Sequence, residues 1–362
     1  MKISFFVQPV SGISYHRLVN PFSYLDMGPD VELEMLFFGE DEHKIDCDIL
    51  YYSKFLNTDP KFLKLLKDKG TKIVVDIDDH WVLPENHPNY IQWNANKMSE
   101  KIVENLKIAD LVICTTMKLQ EAVREHCKNT VVIPNAFPVG EECYMPVEKE
   151  LCDKMKFIYV AGSTHLPDCK LLDGKFKRIG SDPSIKNKAE FILAGYEQTK
   201  KRRYLTKADM VAKNNNFVEE DSWGIWEKMR TIFKQTGSWS VQNSLSLDDY
   251  MNHYDNADVS IIPLVNTTWN SYKSTLKIVE SGFKGLMTIC SDVQPYNNLK
   301  PCEGIWWIDN KNQWGEAIKY CVKNPEYVKD QGKKLYEWIT KEYDLFQWNA
   351  VRKQVLLNLV KC

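Results

Sequence analysis

Apolar runs of strand length punctuate the chain at spacings that leave room for helices between them. KISFFVQP, ELEMLFF, DILYYS, TKIVVDI, ADLVICTT and TVVIPN fall in the first half, and KFIYVAG, AEFILAGY, ADVSIIPL, LMTICSD and GIWWID in the second. Runs that are apolar throughout, not alternating, are what a parallel sheet covered on both faces requires. Between them, KFLKLLKDK, KMSEKIVENLKI and MKLQEAVREHCK repeat apolar residues at intervals of three and four, the spacing of amphipathic helices. The pattern is β-α-β-α twice over. It predicts an α/β fold with two Rossmann-like, doubly wound parallel sheets in series.

The strand-poor segment PVGEECYMPVEKE, residues 138–150, reads as the linker. A first domain is expected over residues 1–145 and a second over 146–335. A stretch near 200–237 breaks the second sheet's rhythm and reads as a partly helical insertion; it holds KKRRY, AKNNNF and SWGIWEKMRTIF. From Asn324 to Cys362 the pattern predicts two successive helices.

Composition fits a globular protein: 44% of the 362 residues are hydrophobic and 27% charged. The N-terminal run lacks a basic region and a small-residue cleavage site, and no run approaches the ~18 apolar residues of a membrane span. A cytoplasmic protein is the expectation. The ten cysteines are scattered, without zinc spacing, and Cys114 and Cys290 sit inside apolar runs. Charge divides unevenly: residues 1–150 carry 16 Lys and Arg against 24 Asp and Glu, the remainder 31 against 25. A positive second half suggests that it handles an anion.

Ligands of open α/β sheets bind outside the carboxyl ends of the strands, so the loops after the apolar runs are the places to look. After the first run, Gly12 allows a tight turn, and Ser14, Tyr15, His16 and Arg17 enter a helix near its positive end; a plain helix cap is the alternative. DIDDHW sets Asp76, Asp78, Asp79 and His80 within five positions. Carboxylates so close repel unless they meet a cation or donors such as sugar hydroxyls. The cluster also resembles a Mg²⁺ site, or a set of turn residues. Thr115, Thr116 and Asn135 end strands, where caps and turns compete with ligand contacts. In YVAGSTHLPD, Gly162, Ser163, Thr164, His165 and Asp168 open the second half, with a glycine that lets backbone amides approach a ligand.

The stretch NSYKSTLKIVESG follows the apolar run ADVSIIPLV and predicts a helix whose first turn is polar. At about 100° per residue, Lys273, Lys277 and Glu280 fall within a ~60° arc of one face. With Ser271, Ser274 and Thr275 in the first turn, this describes an anion site with a carboxylate one turn deeper. A nucleoside diphosphate fits it, the phosphates at the helix start and Lys273, the ribose diol on Glu280. A solvated salt-bridge stripe is the plain alternative.

These residues carry a resemblance. ADVSIIPLV followed by NSYKSTLKIVESGFKGLMTICSDVQPY is similar to the donor-binding region of retaining GT-B glycosyltransferases of family four. In one branch that segment reads "KS…LK.LE…G.P.V.SD..PY", met here by Lys273, Ser274, Leu276, Lys277, Glu280, Gly285, Ser291, Asp292, Pro295 and Tyr296. GISYHR, DIDDHW, ADLVICTT to VIPN, and GSTHLPD resemble other features of that branch, in the same order. The chain departs from the family at Tyr272, where the first of two glutamates usually stands, at Ser163 to Asp168, and at Leu286.

The resemblance implies a GT-B fold with two Rossmann-like domains facing an interdomain cleft and residues 336–362 returning to the first domain. It implies transfer of a sugar from a nucleotide-sugar donor, as co-substrate, to a hydroxyl, with retention and without a metal or other cofactor. Lys273, the amides of Ser274 and Thr275, and Lys277 are then assigned to the phosphates, and Glu280 to the ribose. Gly162, Ser163, Thr164 and His165 complete the donor site. Asp78, Asp79 and His80 face the transferred sugar or acceptor, and Gly12, Ser14, Tyr15, Arg17, Thr115 and Asn135 line the cleft, Arg17 as a second cation.

The expected acceptor is a glycan or a lipid-linked sugar. A hydroxymethylated DNA base, as in viral enzymes of the same plan, is the alternative suggested by KFKR and KKRRY with Trp223 and Trp226 nearby. A sugar-nucleotide epimerase and a silent nucleotide-sugar-binding module are the competing readings.

Overall fold

The apolar runs become strands of two separate sheets, and the central ones, such as β3, β5, β12 and β13, are buried on both faces. The computed structural model describes residues 1–8, 11–37, 39, 41, 44–54, 59–85, 87, 89–148, 153–196, 202–204, 217–219 and 222–361. The chain divides into two compact units. The first comprises Met1–Val139, Tyr272–Ser274 and Tyr343–Cys362, the second Gly140–Ser271 and Thr275–Glu342.

The first unit holds β1 (Lys2–Val7), β2 (Glu32–Phe37), β3 (Ile49–Ser53), β4 (Lys72–Ile77), β5 (Leu111–Cys114) and β6 (Thr130–Val132). They lie in the order β2-β1-β3-β4-β5-β6, every pair parallel. The order turns back between β1 and β3, so the loops after these two strands diverge and leave a crevice at the carboxyl edge. Only β2, at the sheet's edge, exposes large apolar side chains, Met35 and Phe37.

Helices cover the faces. α1 (Pro60–Asp68) starts with Pro60 behind Asp59, whose side chain accepts from the Lys61 amide, and it buries Leu63 and Leu66. α2 (Met98–Ile108) buries Ile102 and Leu106; α3 (Met117–Val123) is capped by Thr116, which accepts from the Leu119 amide. The chain's last helix, Leu345–Lys361, belongs to this unit. Its Leu356 sits in the core beside Ile3, Ile49, Val74 and Ile113.

The second unit holds β7 (Met155–Val160), β8 (Ala189–Tyr196), the short antiparallel pair β9 (Arg202–Tyr204) and β10 (Phe217–Glu219), then β11 (Trp239–Asn243), β12 (Val259–Ile262), β13 (Met287–Ser291) and β14 (Ile305–Ile308). The main sheet runs β11-β8-β7-β12-β13-β14, all parallel, with its reversal between β7 and β12. This is the strand order of a dinucleotide-binding sheet. α4 (Lys175–Ser181), α5 (Ser222–Lys234), α6 (Leu276–Phe283), α7 (Gln313–Lys323) and α8 (Pro325–Glu342) complete the unit. Among the described residues no helix is long and apolar enough to cross a membrane.

Two expectations about residues 200–237 are corrected. α5 is the crossover helix between β8 and β11, with Trp226, Met229 and Phe233 in the core, so this part of the supposed insertion is integral to the sheet. Trp226 is 1% exposed and cannot stack on a base. Lys200, Lys201 and the AKNNN run lie outside the described residues, as do the side chains of Arg202, Arg203, Tyr204 and Trp223. In α4, the helix carrying KFKR, Phe176 and Ile179 face the core while Lys177 and Arg178 face solvent.

One of the two tightest backbone approaches in the second unit is α8 on the turn before β13. A Cβ on Gly332 would stand 2.2 Å from the Gly285 carbonyl oxygen. Gly332→Ala must push α8 outward, and we expect a loss of about 2 kcal/mol. A urea melt checks this; an unchanged midpoint would contradict the packing.

Candidate functional site

In the first unit the helical stretch after β1 widens into a π turn over Tyr15–Val19. That turn delivers Arg17 into the interior. Arg17 Nε lies 2.8 Å from Asp76 Oδ1 and Nη2 lies 3.0 Å from Oδ2, a bidentate pair. Nη1 donates to Asn135 Oδ1 (3.1 Å) and Nη2 to the Ile133 carbonyl (2.9 Å). Tyr51 donates to Asp76 Oδ2 at 2.6 Å. The two charged side chains are 1% and 0% exposed. Burial works against the guanidinium's charge, yet Asp76 outweighs it and holds the Arg17 pKa above the ordinary value. Burial, with Asp76 alongside, pushes the Tyr51 phenol up.

Arg17 is therefore a structural cation and not the ligand-facing one expected from sequence. Two more expected cleft residues serve the backbone and a third serves other side chains. Ser14 is buried and accepts from the Gln8 amide (3.0 Å), and Thr115 donates to the Asp78 carbonyl (2.9 Å). Asn135, also buried, accepts from Arg17 and donates to Ser274 Oγ (3.0 Å). Tyr15 is half-buried, edge-on to His16. Gly12 is exposed with no left-handed backbone, and a Cβ there would meet nothing within 4 Å. Its turn does not need glycine.

The DIDDHW loop follows β4 and is organised by a residue the sequence reading passed over. Lys54, directly after β3, is 2% exposed. Its amide donates to the Asp76 carbonyl (3.0 Å) and its ammonium to the Asp79 carbonyl. The same ammonium stands 2.9 Å from Asp78 Oδ1, an ion pair without hydrogen-bond alignment. The parallel register, Ser53 opposite Asp76, brings Lys54 there. Its signal was a lysine closing the run DILYYSK at a carboxyl edge.

Asp79 is half-buried, and burial together with the neighbouring Asp78 pushes its pKa up to about 6 against the opposing charges of Lys54 and Lys273. His80 stacks on Trp81 (4.6 Å between centroids) and against Tyr272 (4.3 Å); its Nδ1 accepts from the Val82 amide, and burial lowers its pKa. Lys118 lies 5.0 Å from the Tyr272 ring centre. Tyr272 thus places an aromatic ring on the histidine of the DIDDHW loop.

The helix expected from Asn270 onward starts later. Asn270–Tyr272 is a separate short turn, and α6 begins at Leu276 behind Thr275. Lys273 and Ser274 precede the helix, so the shared face of Lys273 with Lys277 and Glu280 does not exist. Tyr272–Ser274 groups with the first unit and Thr275 with the second.

In the second unit, α6 carries Lys277 and Glu280 one turn apart. Lys277 Nζ donates to the Val160 carbonyl (2.6 Å), at the end of β7 and beside the loop of Gly162 to His165. Glu280 is 5% exposed and accepts from the Tyr254 hydroxyl (2.7 Å). Burial raises its pKa, opposed by Lys277, Tyr254 and Tyr250. Gly162 is exposed and extended, with open space where a Cβ would stand; Ser163 is half-buried and Thr164 exposed. His165 Nδ1 pairs with Asp168 Oδ2 (2.8 Å), while Asp168 Oδ1 accepts from the Val265 amide (2.8 Å). Ser291 Oγ accepts from the adjacent Leu264 amide (2.9 Å). The loops after β7 and β12, on either side of the sheet reversal, are therefore clamped together by a buried carboxylate. Among the described residues, no three His, Cys, Asp or Glu side chains gather as a metal cluster.

No family model matches the chain, and no curated protein does. Solved structures match it over nearly its whole length. Sucrose-phosphate synthase (tll1590) from Thermosynechococcus elongatus aligns with a TM-score of 0.68 at 12% identity, over 99% of this chain and 99% of that one. Anabaena Alr3699/HepE, solved in complex with UDP and glucose, aligns at 0.64 and 12% identity over 99% and 100%. A UDP-forming alpha,alpha-trehalose-phosphate synthase from Burkholderia xenovorans aligns at 0.63 and 10% identity over 99% and 98%. The chain has the GT-B fold, two Rossmann-like units each built on a six-stranded parallel sheet.

The raised Asp79 pKa has a consequence for stability. An unfolded aspartate releases its proton near pH ~3.9, whereas the folded one keeps it to about 6. Between these values the folded state binds more protons, so stability falls as pH rises. Asp79→Asn should then gain on the parent from pH 4 to 7, reaching on the order of 1 kcal/mol. Paired thermal melts across that range check it, and a gap that stays constant with pH would contradict the assignment.

Proposed function

We propose that the protein is a glycosyltransferase that moves a sugar from a nucleotide-sugar donor, a uridine diphosphate sugar in the first instance, to a hydroxyl acceptor. The observation that carries this reading is the edge of the second sheet at its reversal: a cation, Lys277, and a buried carboxylate, Glu280, one turn apart on α6 beside an open glycine loop. Support comes from HepE, which shares the fold over the whole chain and was solved with UDP and glucose.

Lys277 and the amides at the start of α6 take the diphosphate, whose charge grows as the sugar leaves. Glu280, held by Tyr254, accepts the ribose hydroxyls. Gly162, Ser163 and Thr164 approach the phosphate or the sugar, and Lys273 supplies a further cation. Charge stabilisation by these groups needs no metal or other cofactor. Transfer proceeds with retention, and Asp78, Asp79 and His80 of the first unit act on the sugar or acceptor. The acceptor is a hydroxyl of a glycan or a lipid-linked sugar.

Thermal shift against nucleotide sugars tests the donor site. At a hundredfold excess over its dissociation constant a donor adds about 2.7 kcal/mol. Glu280→Gln and Lys277→Ala should each weaken the best donor about tenfold, or ~1.4 kcal/mol. If both variants keep the full shift, the donor site is elsewhere.

A further inference from the structure

Glu280 is held in place from outside its own helix. Between β11 and β12 the chain makes a short 3₁₀ turn, Tyr250–Asn256, and three consecutive residues of it grip three different partners. His253 Nδ1 pairs with Gln242 Oε1 of β11 (3.0 Å), and the Tyr254 hydroxyl donates to Glu280 Oε2 (2.7 Å). Asp255 Oδ1 stands 2.7 Å from the ammonium of Lys284, which closes α6. With three residues per turn, neighbours on a 3₁₀ helix point about 120° apart, so one turn can brace a strand end and a helix at once.

The contact between Tyr254 and Glu280 is sealed: the two side chains belong to residues 1% and 5% exposed. Burial, with Glu280 alongside, pushes the Tyr254 phenol well above its ordinary pKa, so its hydroxyl stays a donor. Burial works against the charge of Glu280, and Lys277, Tyr254 and Tyr250 work for it. A carboxylate offers about four acceptor sites on two oxygens. With Oε2 fixed by a phenol, it cannot turn.

We propose that Tyr254 is the positioning residue that makes the donor site select a ribonucleoside diphosphate over its 2′-deoxy counterpart. It holds one oxygen of Glu280 so that the rest of the carboxylate meets a vicinal diol. The inference rests on the donor reading given above. A ribose presents two neighbouring hydroxyl donors to one carboxylate. A 2′-deoxyribose presents one and leaves a buried acceptor unpaired, and a site built to bind a hydroxyl rejects the analogue that lacks it. A carboxylate that could rotate would follow the single hydroxyl and discriminate less.

The test measures binding of UDP and 2′-deoxy-UDP to the full chain by titration calorimetry, in the parent, Tyr254→Phe and Lys284→Met. The parent should prefer UDP about thirtyfold. Tyr254→Phe should weaken UDP about tenfold and 2′-deoxy-UDP about twofold, cutting the preference to about sixfold. Loss of the phenol also removes a donor that favours the charged carboxyl of Glu280. On acidification, UDP affinity should therefore begin to fall about one pH unit higher in Tyr254→Phe than in the parent. Lys284→Met removes a second contact between the same turn and α6 without altering the contact to the Glu280 carboxylate. It should cost stability but leave the preference and the pH dependence in place. A preference that survives Tyr254→Phe, or one that Lys284→Met lowers as far, overturns the role of Tyr254. So does a parent that binds both nucleotides equally. Absence of UDP binding by the parent at ~1 mM overturns the donor reading itself, and the inference falls with it.

Discussion

A guanidinium sealed against a carboxylate, Arg17 on Asp76, holds the carboxyl edge of the first sheet together. It joins the π turn after β1 to the end of β4, and through Asn135 and the Ile133 carbonyl it reaches the segment after β6. Tyr51 of β3 closes the ring on Asp76. A buried pair of this kind is a poor source of net stability, since desolvation cancels much of the attraction. Its effect is geometric. With Asp76 immobile, the residues two and three positions later, Asp78 and Asp79, leave the sheet at a defined angle. Lys54 then fixes both from the neighbouring strand.

The second unit solves the same problem with one carboxylate. Asp168 spans the reversal of the sheet, holding His165 on one side and the Val265 amide on the other. On the proposed reading, the donor meets the loop of Gly162 to Thr164, Lys277 and Glu280. In both units a buried carboxylate, Asp76 or Asp168, organises the edge. Arg17 pairs with the first of these and Lys277 with the Val160 carbonyl, although the two cations look equivalent in sequence.

The strands were legible because a parallel sheet buried on both faces needs uninterrupted apolar runs. β11 was not, since WSVQN alternates and lies at an edge where its residues are only half-buried. α5 read as an insertion because basic and polar residues precede it, yet Trp226 and Phe233 place it in the core. That Lys277 and Glu280 share a helix one turn apart was legible from the spacing. Lys273 was misplaced because periodicity cannot tell a helix from a short turn followed by a helix. Buried polar contacts were the least legible: nothing in GISYHR says that Arg17 turns inward, and only a strand register reveals that Lys54 reaches Asp78 and Asp79.

The account turns on a nucleoside diphosphate being held at the reversal edge of the second sheet. Hydrogen–deuterium exchange with and without UDP tests this most directly, because it reports where binding occurs and requires no acceptor. Protection should appear on the amides of residues 161–168 and 275–280. Protection confined to other segments, with these two unchanged at saturating UDP, would contradict it.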